Sequence, residues 1–110
     1  QVNLNFPVDI PQGENVFDII AGVYYTSPDN TPMWIFRVNN DVNPFMIYQA
    51  GELPVYSSSG AGMTTTVDFF KGSLNGMPGK FDFYIGFVPQ GKDIFKELLF
   101  NIVPYSLEVK

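Results

Sequence analysis

The chain has 110 residues with eleven Asp and Glu, six Lys and Arg, no Cys and no His, which excludes disulfides, thiolate or imidazole metal sites, cysteine nucleophiles and Ser-His-Asp relays. At this length roughly 65% of the unfolded surface is buried on folding, enough for one core and not two, so residues 1–110 read as a single domain. A net charge of −5, with Arg37, Lys71, Lys80, Lys92, Lys96 and Lys110 dispersed along the chain, offers no footprint for a phosphate backbone, and no apolar run reaches the roughly 18 residues of a membrane-spanning helix.

The punctuation is that of an all-β protein: short apolar runs rich in Phe, Val, Ile and Tyr, parted by Pro, Gly, Asn, Asp and Ser. Val2, Leu4 and Phe6 alternate with Asn3 and Asn5, which predicts a half-buried first strand that Pro7 ends or bends. The Pro11 to Glu14 stretch is a turn. From Val16 to Thr26, Phe17, Ile19, Ala21, Val23 and Tyr25 share one face while Asp18, Ile20, Gly22 and Tyr24 share the other, the pattern of a central strand. Ser27 to Pro32 stacks turn formers and predicts a hairpin into a strand from Met33 to Val38. Asn39 to Pro44 turns the chain again, into a short strand from Phe45 to Gln49.

Ala50 to Pro54 reads as a turn, Val55 to Ser57 as an edge piece, and Ser57 to Gly62 as a flexible, solvated connector. Thr64 to Lys71 is β-rich, and Gly72 to Gly79 is a glycine-rich loop. In the following strand Phe81, Phe83, Ile85 and Phe87 alternate with Lys80, Asp82, Tyr84 and Gly86, so that one face needs a covering layer. Between Gly91 and Asn101, Asp93 is placed to cap a short helical turn facing Phe95, Leu98 and Leu99 inward, with an irregular connection as the other reading. Phe100 to Val109 closes the chain as a strand, with Pro104 arguing for an edge or a bulge. The sum is an all-β, antiparallel β-sandwich of immunoglobulin-like size with about seven or eight strands.

The run Met77-Pro78-Gly79-Lys80-Phe81-Asp82-Phe83-Tyr84-Ile85-Gly86 resembles the penultimate strand of immunoglobulin-like and fibronectin-like accessory domains. With Val23-Tyr24-Tyr25, the Ser27 to Asn30 turn and the terminal Tyr105 to Val109, its order is similar to repeated β-sandwich modules of secreted and surface proteins of Gram-negative bacteria. The resemblance implies an extracellular spacer, adhesion or ligand-binding module, located outside the cell, at its surface or in the periplasm. Such modules share a fold without sharing a function.

Three kinds of candidate site remain. Asp29 and Asp41 lie in successive turns at opposite ends of a meander, so the paired carboxylates of a glycosidase are not expected, and neither is an enzyme of any class. Asn39, Asp41 and Asn43 offer hard oxygens for calcium, but a single carboxylate is thin charge for six to eight ligands, and a turn using Asn and Asp for its own geometry is the preferred reading. Aromatics make up 16% of the chain, and Tyr24, Phe70 and Tyr84 fall opposite their strands' apolar stripes. An external platform of Tyr24 and Tyr84 with Tyr48 or Tyr56 would suit a carbohydrate, while cross-strand pairing is the plainer explanation. Trp34, alternating with Phe36 and Val38, reads as core.

The expected role is a non-catalytic structural or adhesion module of a larger secreted or surface bacterial protein, with a carbohydrate-binding module as the alternative. No cofactor is expected. The expected partners are other domains of the same chain or an extracellular protein or carbohydrate, and not nucleic acid.

Overall fold

The computed structural model describes residues 2–40, 42–51, 53–91, 99–100 by their backbone, and 105–110. Its regular elements are all strands: β1 (Val2–Asp9), β2 (Val16–Thr26), β3 (Pro32–Arg37), β4 (Phe45–Ile47), β5 (Ser57–Gly60), β6 (Thr64–Gly72), β7 (Gly79–Pro89), β8 (Leu99–Phe100) and β9 (Tyr105–Val109). Every pairing among them is antiparallel. The short helical turn expected around Asp93, Phe95 and Leu98 lies outside the described residues, as does the stretch that would join β8 to β9 in one terminal strand.

One sheet is built on the long pair β2–β7, in register from Phe17↔Pro89 to Thr26↔Lys80. Each long strand has its other edge shared between two shorter ones. β3 takes Ala21 to Thr26 of β2 and β5 takes Val16 to Ile19; β9 takes Gly79 to Phe83 of β7 and β8 takes Gly86 and Phe87. β4 completes the β3 edge. Among the described residues the second sheet consists of β1 and β6.

Period-two alternation makes these sheets face each other. Leu4, Phe6 and Val8 from β1 and Val67 and Phe69 from β6 meet Phe17, Ile19, Ala21 and Val23 of β2 and Phe81, Phe83, Ile85 and Phe87 of β7 in one buried cluster. Phe69 stands edge-on to Phe83 at 5.1 Å, and Phe6 lies 5.9 Å from the same ring. No polar side chain is buried among the described residues. Pro7 sits inside β1 rather than ending it, opposite Thr66. Among the described residues β1 pairs with β6 alone, and an edge strand is where a residue without an N–H is tolerated.

The connector expected at Ser57 to Gly62 is instead strand β5 over its first four residues. Serine and glycine have little intrinsic preference for strands, but β3 leaves one edge of β2 open from Val16 to Ile20. Pairing there satisfies its backbone, and Ser58 Oγ donates to Asp18 at 2.7 Å.

Residues 73–78 join β6 to β7 at one pole of the sandwich. Val2 pairs with Gly72 and Val109 with Gly79, so the chain enters and leaves at this same pole. The opposite pole carries the 10–15 and 61–63 turns, tied by bonds from Ile10 N to Met63 O and from Gly62 N to Pro11 O.

Candidate functional site

The outer face of the large sheet carries the aromatic residues expected to form a platform. Gly22 lies between Phe36 on β3 and Tyr84 on β7. A Cβ at Gly22 would stand 2.8 Å from Phe36 Cε1, so the glycine is what lets that ring lie down on the sheet, where it is buried. Across the same notch Trp34 reaches Tyr84, with centroids 5.4 Å apart, and pairs with Tyr24 at 5.1 Å. Trp34 is thus a half-buried outer-face residue at the centre of the group and not part of the core between the sheets. Tyr48 joins from the side, edge-on to Phe36 at 5.8 Å, its hydroxyl donating to Gly51 O at 3.0 Å.

Tyr24, Tyr84 and Tyr48 are therefore brought together, and Tyr56 is not. Tyr56 packs against the inner core beneath the Arg37 guanidinium, whose central carbon lies 5.6 Å from its ring centroid. Phe70 also leaves the expected platform. In the β1–β6 ladder Leu4 pairs with Phe70 but Asn5 with Asp68, so Phe69 is an extra, bulged residue. A bulge resets the alternation, and Phe69 and Phe70 both turn inward.

The outer rings do not form a flat surface. The planes of Tyr24 and Tyr84 are inclined to Trp34 by 57° and 53°, and each ring spends part of its face on a neighbour.

Carboxylates are placed differently from a catalytic pair. Asp9 accepts from Thr64 at 2.8 Å, Asp18 from Ser58 and from Gln90 at 3.0 Å, and Asp82 from Ser106 at 2.5 Å. In each case the hydroxyl partner stands directly opposite in the strand register. These are cross-strand clips. Asp29 accepts from the Ser27 hydroxyl within the β2–β3 turn, and that bond, followed by one from Thr31, holds its carboxyl below the ordinary value. Asn30 takes a φ of 65° in the same turn, a conformation asparagine tolerates.

Of the calcium candidates, Asp41 lies outside the described residues. Asn39 and Asn43 are exposed, and between them Asn40 Oδ1 accepts from Val42 N and Asn43 N at 2.9 and 3.0 Å. The loop's amide oxygen closes its own turn. Among the described residues no three Asp, Glu, His or Cys side chains gather to hold a metal.

The feature that sequence reasoning missed lies between the sheets. A half-open cavity of about 330 Å³ has Val23, Ile35 and Phe83 as its floor and Leu4, Phe69 and Phe70 as its roof, with no polar residue in its lining. Phe45, Ile47, Leu74 and Met77 line it as well, and of these Phe45, Ile47 and Met77 are 40, 55 and 47% exposed and mark its mouth. Two causes combine: a two-stranded sheet is too narrow to cover its partner, and the bulge turns a second phenylalanine into the gap. Neither is local to any stretch of sequence.

Comparison of the chain with family models, with curated proteins and with solved structures returned no match to any of them, so what the domain does is argued from this geometry.

Proposed function

We propose that the domain is a non-catalytic structural or adhesion module of a larger secreted or cell-surface bacterial protein. The observation that carries this reading is the inclination of the outer rings: Tyr24 and Tyr84 are packed on Trp34 at 57° and 53° and all three are half-buried, so the aromatic surplus seals a sheet face over which no second layer lies among the described residues. Asp9, Asp18 and Asp82, each engaged by a hydroxyl opposite, agree with a scaffold role. Both chain ends at one pole leave the 10–15 and 61–63 turns projecting from the other, an arrangement suited to presentation. The extracellular setting rests on the resemblance of the Met77 to Gly86 strand to accessory β-sandwich modules.

A carbohydrate-binding module is the second reading, favoured by the gathering of Tyr24, Trp34 and Tyr84 on one partly exposed surface. The chain has a single tryptophan, so its fluorescence reports on that surface alone. Titration with a panel of oligosaccharides and with Ca²⁺, following Trp34 emission and the amide signals of Tyr24, Tyr84 and residues 39–43, separates the readings. A silent titration is expected. Saturable quenching of Trp34 by one sugar would replace the structural reading with the carbohydrate one, and shifts limited to residues 39–43 would make calcium a structural ligand.

A further inference from the structure

We infer that the cavity between the sheets is a binding site for an unbranched aliphatic chain bearing an uncharged head group. Size and chemistry carry this together. Apolar cavities of about 150 Å³ stay dry and take up benzene, so one of about 330 Å³ accommodates a hydrocarbon of roughly ten to twelve carbons. Ligand pockets begin near this volume, at about 300 Å³.

The wall has no hydrogen-bonding side chain to orient a polar ligand. Water entering it would lose partners that the wall cannot replace, and only a hydrocarbon enters without that loss. One side is open, since Ile47 and Met77 are about half exposed, and the head of the ligand stays there in solvent.

The charge of the head follows from what surrounds the mouth. Arg37, the cation against the Phe45 ring of the mouth, is already engaged: its Nε donates to Asp68 O and Phe69 O, both at 3.2 Å, and its guanidinium lies 5.7 Å from the Phe45 centroid. A chain of net charge −5 then repels a carboxylate more than it attracts one, which selects an alcohol, an ester or a similar neutral head.

The architecture also holds the space open. Arg37 fixes the bulge of β6 over β3, and Phe45 stands against both bulge phenylalanines, 6.1 Å from Phe69 and 6.4 Å from Phe70. The roof therefore does not settle onto Ile35 when the cavity is empty.

The test is an NMR titration of the methyl-labelled domain with straight-chain primary alcohols from hexanol to decanol, reading Val23, Ile35, Ile47, Leu74 and Met77. Saturable shifts on these methyls with one alcohol per chain are expected, with Kd falling roughly fourfold for each added CH₂. Decanoate at pH 7 is expected to bind more weakly than decanol. Ile47→Trp, which plugs the mouth, should weaken decanol binding at least tenfold, whereas Val42→Trp, at a position 84% exposed outside the cavity, should leave it unchanged. Should Ile47→Trp fail to fold, Leu74→Trp makes the same test from the turn. Shifts scattered over the surface, a Kd independent of chain length, or undiminished binding by the plugged variant would overturn the site. Decanoate binding as tightly as decanol would overturn the uncharged head. Concentration-dependent shifts of the same methyls without alcohol, with a dimer in sedimentation, would assign the cavity to a second copy of the chain and overturn the ligand.

Discussion

Single positions in this domain are decided by what stands opposite them. Asp29 owes its lowered pKa to the Ser27 hydroxyl and then to Thr31, and the sign of its contribution follows. A carboxyl whose folded pKa is depressed adds stability that is present above the ordinary value of 3.8 and lost as the pH falls through the lower folded value. The β2–β3 turn should therefore loosen only in strong acid. Following the Asp29 side chain by NMR across acid pH should give a midpoint below 3.8, and Ser27→Ala should move it back toward that value. Gly79 is fixed by a different neighbour. Its φ is +140°, and a Cβ there would stand 2.6 Å from Thr26 O and 2.7 Å from Tyr25 Cε1, the ring whose hydroxyl donates to Pro78 O at 2.6 Å. Backbone cannot yield as a flexible side chain does, so Gly79→Ala should cost about 2–3 kcal/mol, read as a lowered urea midpoint.

At the scale of elements, Arg37 is the junction. It belongs to β3, yet its Nε holds the carbonyls of Asp68 and Phe69 on β6, and Nη1 donates to Val38 O. A bulge breaks the regular ladder, and Arg37 supplies donors at the place where β6 departs from it. Arg37→Met keeps the aliphatic stem and removes the donors. It should destabilise the domain by about 1–3 kcal/mol, measured by urea unfolding, with the largest loss of amide protection around residues 68–70. The elements themselves were legible wherever alternation was long. Val16 to Thr26 and Lys80 to Phe87 announce β2 and β7 because eleven-residue strands display their period many times over. β5 was not legible, because Ser57 to Gly60 carries no pattern and forms a strand only through the free edge of β2. Phe70 was assigned to the wrong face because a bulge shifts the phase by one residue and leaves no mark in the alternation. Trp34 was assigned to the core because its face is set by the register of β3 on β2, which places it opposite Tyr24 on the outer side, and that pairing is not written in the alternation of β3 alone.

Over the whole molecule the two sheets are unequal, and the inequality explains features of both faces. Among the described residues no layer covers the outer face of the larger sheet, and aromatic rings close over it. The same sheet also exposes part of its inner face, because β1 and β6 are too few to hide it, and there a cavity is left. The radius of gyration, 14.3 Å, exceeds the roughly 13 Å expected of a sphere-like domain of this length, and the extents of 44 × 29 × 28 Å show an elongated body. Which residues form the long strands is a local matter and was readable from the chain, whereas β5 depends on the edge it pairs with. How wide each sheet is depends on pairings between distant segments, and so does the cavity that results.

The shared pole of the chain ends has a mechanical consequence. Tension applied through Val2 and Val109 enters β1 beside Gly72 and β9 beside Gly79. In each antiparallel pair the load falls first on the hydrogen bonds nearest the pull, so the strands unzip one rung at a time and do not share the load in shear. A domain connected in this way is weak as a link in a stretched tether.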